Sequence, residues 1–273
     1  MPHFTSYDGT RLWYDEFGAG PLLLALAGGP GMDARYLGSL GGLDAGRTVV
    51  RLHGRASGRS DTPAERASCS FAEQGRDVEA LRRHLGLDRV DLLAHSAGAL
   101  VAQRYAYLSP ERVGRLLLVT PVGRAAREPD EAELAAIRAG RSAEPWYPEA
   151  AVAERRLADG ADPTPELLAA LTPFHWGDWT EDARREAGRP LTPPQPWLRQ
   201  AFYAGAGTPA PLPGTEILVI AGALDGLIGT APARLVADCH PLARLEVLAE
   251  AGHRPWIDVP DRFADLAGEF LDA

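Results

Sequence analysis

The sequence predicts an α/β fold: a mostly parallel central sheet with helices on both faces and a helical cap inserted before the last strands. Three observations predict it. Short, near-continuous Leu/Val/Ile runs recur along the chain, as expected of strands buried on both faces. Helical patterns separate them, which implies parallel strands joined by crossovers. One long stretch, from Val122 to about Pro213, has no buried-strand pattern. It holds helical segments, prolines and four of the six tryptophans: Trp146, Trp176, Trp179 and Trp197.

In chain order, the strand-like runs are residues 12–17, 22–27, 48–52, 90–94, 116–120, 217–221 and 245–248. Residues 71–85 place Phe71, Val78, Leu81 and Leu85 on one face of an amphipathic helix. The run at 90–94 passes into a second helical pattern with Leu100, Val101, Tyr105 and Leu108. Residues 260–271 read as a closing helix whose buried face is Phe263, Leu266, Ala267 and Phe270. Within the inserted stretch, helices are expected at 131–139, 150–158, 166–171 and 179–186. The expected organisation is a core domain of residues 1–121 and 214–273 with a cap of 122–213. The segment "TPAPLPG" from Thr208 to Gly214 reads as the linker back to the sheet.

A chain of 273 residues, 45% hydrophobic, can bury one large core and carry an insertion. Its net charge is −9 and no basic run appears, which argues against a nucleic-acid partner. All 28 basic residues are arginine. Cys69 and Cys239 are the only cysteines, too few for a disulfide framework, and point to a reducing compartment. The first residues lack a basic start followed by an apolar core, and no apolar run approaches the roughly 18 residues of a membrane span. The expectation is a cytoplasmic protein without a membrane partner.

The chemistry begins at "AHSAG", where the run 90–94 stops and a helix starts. A strand, then small-x-Ser-x-Gly, then a helix is the pattern of a tight turn that lifts a nucleophilic hydroxyl clear of the sheet edge. The residues two before and two after Ser96 must be small, and here they are Ala94 and Gly98. A serine that merely caps a helix needs no small residues on both sides. The turn also aims the Ala97 N–H at a developing negative charge.

A serine hydroxyl needs a base to take its proton. In this kind of sheet the order along the chain is serine, acid, histidine. Asp225 follows the run 217–221 in "GALDG", and His253 follows the run 245–248 in "AEAGHRPW". His253 is then the expected base and Asp225 the group that fixes its tautomer. Asp258, five residues past His253, is a rival acid. The loop after residues 22–27 reads Ala27-Gly28-Gly29-Pro30-Gly31, where glycines let backbone N–H groups approach a substrate. Gly29 is the expected second donor to an oxyanion, with Gly28 the alternative.

With these residues in place, the sequence resembles the α/β-hydrolase superfamily. Within it, "GGPG" at positions 28–31 is similar to the prolyl aminopeptidase (proline iminopeptidase) family, as are "AHSAG", "YLSPERV", Asp225, His253, and Arg55, Gly58 and Ser60 in the loop after 48–52. Two positions depart from the family pattern. Ala27 stands where the family has histidine, and the loop reads His53-Gly54-Arg55-Ala56-Ser57-Gly58-Arg59-Ser60, with His53 in place of an acid and Ala56 in place of a glycine. Our expectation for His53 is a supporting role behind the glycine loop, filling space vacated at Ala27, with Gly28 part of the same support.

The resemblance implies an aminopeptidase that releases an N-terminal proline or small residue. Such an enzyme holds the substrate's free amine with cap carboxylates, for which the cap offers Glu144, Glu149, Glu154, Glu166, Asp178, Glu181 and Asp182. An esterase or thioesterase for an apolar acyl group is the alternative. Trp146, Phe174, Trp176, Trp179, Trp197, Phe202 and Tyr203 could roof its pocket, and Trp176 and Trp179 are the expected substrate contacts. A ligand-binding protein that has lost the chemistry is the third reading. In each case the ligand is a small molecule or short peptide. No metal or organic cofactor is expected, since the histidines lack ligand spacing.

Overall fold

The structure, a computed structural model, describes residues 2–123, 129–204 and 210–273. Thr208 and Pro209, at the start of the expected linker, lie outside the described residues. The strands are β1 (His3–Thr5), β2 (Arg11–Gly18), β3 (Leu22–Leu26), β4 (Thr48–Leu52), β5 (Val90–His95), β6 (Val113–Val119), β7 (Glu216–Gly222) and β8 (Ala243–Leu248). They form one sheet in the order β1-β2-β4-β3-β5-β6-β7-β8. The β1–β2 and β2–β4 pairs are antiparallel; every pair from β4 onward is parallel. Each expected run lies on a strand. β1 escaped the sequence reading because three residues carry no measurable period; it is held by its register on β2, Phe4 opposite Leu12.

The continuous apolar character of the central strands follows from two cores, one on each face. Leu24 and Leu26 of β3, Leu92 and Ala94 of β5, and Leu116 and Leu118 of β6 point into the first. Leu23, Ala25, Leu93, Leu117 and Val119 point into the second. Helices α1 (Phe71–His84) and α2 (Gly98–Leu108) cover the first face with Val78, Leu81, Leu100 and Tyr105. The last helix covers the second face with Phe263, Leu266, Ala267 and Leu271.

Between β6 and β7 lie α3 (Glu131–Ala139), α4 (Tyr147–Ala158), α5 (Pro165–Leu171), α6 (Glu181–Ala187) and α7 (Leu198–Tyr203). Helix α6 begins at Glu181, not at Trp179, because the Thr180 side chain accepts the Ala183 N–H and stops the helix there. Helix α4 begins three residues ahead of the expected start, with Pro148 in its first turn. The chain ends with α8 (Ala231–Cys239), α9 (Pro255–Asp258) and α10 (Pro260–Asp272).

The inserted helices are tied to the loops that follow β7 and β8. Arg138 donates twice to the Gly226 carbonyl, at 3.0 and 2.8 Å. The Glu133 carboxylate accepts the Thr230 and Ala231 N–H groups, each at 3.0 Å. The Phe174 carbonyl takes the Gly226 N–H at 2.9 Å, and the His175 carbonyl takes the His253 N–H at 2.7 Å.

The loop after β4 is organised by Arg55, which is fully buried. Its guanidinium grips Asp77 through two bonds of 2.7 and 2.6 Å and also pairs with Asp8. Beside it, Ala56 has φ +55°, where the family pattern has glycine. A left-handed backbone costs a residue with a Cβ about 1–2 kcal/mol, while glycine gives back about 0.4–1 kcal/mol through its freer unfolded chain. Ala56→Gly is therefore expected to stabilise the protein by about 0.5–1 kcal/mol. Thermal unfolding checks this, and a lower midpoint would contradict it.

Candidate active site

Ser96 sits at the turn between β5 and α2 with φ +51°. This left-handed conformation is held by its surroundings: its N–H donates to the Val119 carbonyl at 2.9 Å. The small neighbours are required by contact. A Cβ on Gly98 would stand 2.5 Å from the Ala27 carbonyl oxygen, and one on Gly28 would stand 2.8 Å from the Ser96 Cβ. Ala94 keeps its methyl because that methyl enters the first core, where it is fully buried.

Asp225 and His253 arrive from the next two strands. Asp225 follows β7, is fully buried, and accepts the N–H groups of Leu227 and Ile228 on one oxygen at 2.9 and 3.1 Å. Its other oxygen stands 2.7 Å from Nδ1 of His253. The structure thus brings Asp225 and His253 into contact, and His253 and Ser96 line one cavity of about 380 Å³. Asp258 does not touch the His253 ring through any hydrogen bond. It accepts the Gly252 N–H at 2.8 Å, and burial pushes its pKa up to about 6 against that bond.

Of the two glycines offered as oxyanion donors, Gly28 has its N–H occupied: it donates to the Tyr36 hydroxyl at 2.8 Å. Gly29 and Ala97 line the cavity with Ser96, and no group among the described residues takes their N–H. Gly28 thus acts behind the site, through a chain that the sequence did not reveal. The Tyr36 hydroxyl is 2.5 Å from Nδ1 of His95, and Nε2 of His95 donates to the His253 carbonyl at 2.9 Å. A carbonyl only accepts, so His95 carries its proton on Nε2 and takes the tyrosine proton on Nδ1. Burial, and then the neighbouring His253, hold the His95 pKa well below its usual value, which keeps the ring neutral for this role. The Thr120 hydroxyl joins the same carbonyl at 3.0 Å. One connected set of bonds therefore links the glycine loop, the serine turn and the histidine loop.

His175, also unsuspected, lines the cavity, and its pKa is pushed down to about 3 by burial first and then by His253. Of the two tryptophans expected to contact substrate, Trp176 is in the cavity wall. Trp179 is not; it packs behind Trp176 with ring centroids 6.2 Å apart. Trp146 and Phe174 pack on each other within the inserted stretch, while Phe202 packs on Phe71 and Trp197 lies under Arg66, so these rings brace the insertion and tie it to the start of α1. Tyr203 joins the wall.

His53 is completely buried, between Asp15 at 3.2 Å and Asp33 at 3.8 Å. The expectation that it holds residues 28–31 is corrected in this respect: its polar contacts go to these two acids, not to the glycine loop. Gly58 makes room for the ring; a Cβ there would collide with it. Burial raises the Asp33 pKa, but bonds from Arg35 and from backbone N–H groups outweigh it and hold the carboxyl low.

A family model described as the alpha/beta hydrolase fold matches residues 21–258. The chain belongs to the alpha/beta hydrolase fold family. This membership supports a hydrolase. Over 92% of its length this α/β hydrolase is 27% identical to a proline iminopeptidase of Lactobacillus delbrueckii subsp. bulgaricus, covering 89% of that protein. Among solved structures it superposes on a proline iminopeptidase of Mycobacterium smegmatis with TM-score 0.74 and 20% identity, covering 99% of this chain and 98% of that one. It superposes on an esterase of Exiguobacterium antarcticum with TM-score 0.70 and 16% identity, over 99% of each chain. Both structural likenesses are likenesses of fold. No helix among the described residues is long and apolar enough to cross a membrane.

Proposed function

We propose that this protein is a serine hydrolase that cleaves an ester or thioester through an acyl-enzyme, with Ser96 as nucleophile, His253 as base and Asp225 as its orienting acid. The observation that carries the reading is the 2.7 Å contact between Nδ1 of His253 and Asp225, made where His253 shares a cavity with a serine on a left-handed turn. Asp225 keeps the proton on Nδ1, so Nε2 is free to accept one. The Ser96 oxygen attacks the acyl carbon and its proton passes to Nε2. The carbonyl electrons move to oxygen, where the N–H groups of Gly29 and Ala97 receive the charge. Collapse expels the alcohol or thiol, which takes the proton from His253. Water then attacks the Ser96 ester, gives its proton to His253, and the acid is released as Ser96 regains a proton.

The cavity wall favours an ester over a free N-terminal residue. Among the described residues Arg199 and Arg254 line it and no carboxylate does. An ammonium group would meet like charge without a counter-charge. The cap carboxylates are engaged or exposed elsewhere: Glu144 pairs with Arg141, Glu154 with Arg138 and Asp182 with Arg185, and Glu149, Glu166, Asp178 and Glu181 face solvent. The aminopeptidase reading keeps one support, the sequence likeness to proline iminopeptidases. Parallel assays with short acyl esters and with a prolyl arylamide separate the two. The expected result is ester turnover and single-site labelling by a fluorophosphonate, with the prolyl amide untouched. Prolyl amide cleavage would favour the aminopeptidase, and no labelling would favour a binding protein.

A further inference from the structure

Arg254 is the residue after His253, and it lines the same cavity. Its guanidinium lies between two aromatic rings, 4.8 Å from the Tyr36 centroid and 5.1 Å from that of Trp176. Stacking on rings fixes the plane of the fork without using its N–H groups. Among the described residues no carboxylate pairs with it. The two acids in its neighbourhood are committed to other partners: Glu186 to Arg189 at 3.0 Å, and Asp258 to the Gly252 N–H at 2.8 Å. Burial lowers the Arg254 pKa, which is the usual consequence of holding a cation away from water without a counter-ion.

A second cation points the same way. Arg199, on α7, supplies a second cation to the cavity and also has no ion pair among the described residues. A half-buried arginine fork and a second arginine form a set of donors without acceptors among the described residues, in a space that also holds the hydroxyl of Ser96. Left empty, such a set is unfavourable; a bound anion satisfies it.

We infer that Arg254 receives a carboxylate carried by the substrate, so that the ester cleaved is an anionic one, such as the mono-ester of a dicarboxylic acid. This rests on the acyl-hydrolase reading above. The carboxylate accepts from the Arg254 fork, with Arg199 drawing the anion into the cavity, and the ester group lies over Ser96. An apolar ester of the same size leaves the guanidinium unpaired and binds more weakly.

The test compares aryl mono-glutarate, which carries the carboxylate on the acyl side, 4-acetoxybenzoate, which carries it on the leaving group, and neutral aryl esters of matched size. One of the anionic esters is expected to exceed its neutral counterpart in kcat/KM, and which one assigns the side of the ester that faces Arg254. The anionic-to-neutral ratio is expected to fall by about 10- to 100-fold in Arg254→Gln and to recover in part in Arg254→Lys, which restores charge without the fork. If the Gln variant does not fold, the Lys variant carries the comparison, with a smaller fall in the ratio expected. A ratio that ignores both substitutions, or a wild-type enzyme that prefers the neutral esters, overturns the inference. Calorimetry of glutarate with Ser96→Ala keeps the outcomes apart. If no ester is cleaved but glutarate binds and Arg254→Gln weakens it, the hydrolase reading fails and the anion site stands. If esters are cleaved and glutarate binding does not depend on Arg254, the reverse holds.

Discussion

Ser96→Ala is expected to lower kcat on any cleaved ester by at least ~10³-fold, because nucleophile and base act as a unit. The loss should sit in kcat. Removal of one hydroxyl leaves the rest of the cavity wall, Gly29 and Ala97 included, in place, so the proposed oxyanion donors are kept. Fold stability should hold or rise slightly, since alanine at φ +51° meets the same backbone restriction as serine. The variant should also lose phosphonate labelling entirely. Turnover within tenfold of wild type would show that the cavity activates water without a covalent intermediate, and Ser96 would lose its assigned role.

The second large effect separates the two acids. Asp225→Asn is expected to cost about 10⁴-fold in kcat. An amide can donate its NH₂ to Nδ1, which moves the histidine proton to Nε2 and leaves no acceptor for the serine proton. Asp258→Asn should leave turnover near wild type, because Asp258 supports the Gly252 N–H and not the ring. Its signature is in stability. The folded pKa, near 6, lies above the ordinary aspartate value of 3.8, so the native state binds more protons than the unfolded chain between those values. Stability from this group is therefore full at acid pH and is lost as pH rises through about 4 to 6. Asn keeps an oxygen for Gly252 and carries no charge, so unfolding midpoints should depend less on pH across that window and be higher at pH 7. If Asp258→Asn abolishes turnover while Asp225→Asn spares it, the acid has been misassigned.

The strands, the serine turn and the chain order of Ser96, Asp225 and His253 were legible because they rest on short-range physics. Near-continuous Leu and Val runs report burial on both faces. The tight turn at Ser96 demands small residues two before and two after it, and Ala94 and Gly98 stand there in the sequence. Such constraints leave their mark within a few residues of the position they govern. Four of the five described helices of the inserted stretch were legible to within a few residues by period, and Thr180 moved the start of one of them by capping it; the six-residue α7 was too short to show a period.

Tertiary structure alone decided the rest. Chain order favours Asp225 over Asp258 in the sequence, 28 residues before and 5 residues after His253, but it is the path of the β7 loop that puts Asp225 on Nδ1. Gly28 and Gly29 are adjacent and identical, yet the hydroxyl of Tyr36 takes the N–H of the first, while the second lines the cavity with no partner for its N–H among the described residues. Trp176 reaches the wall and Trp179 stacks behind it, a distinction of three residues that helical and loop geometry makes and composition cannot. The charge of the cavity is the clearest case. The cap is rich in carboxylates, and counting them suggests an amine site, but the seven candidates pair with neighbouring arginines or face water, while the arginines that line the space around Ser96 among the described residues are Arg199 and Arg254. Periodicity and turn sterics act locally along the chain, whereas the direction of an N–H, the partner of an ion and the sign of a cavity are set by contacts between residues far apart in sequence.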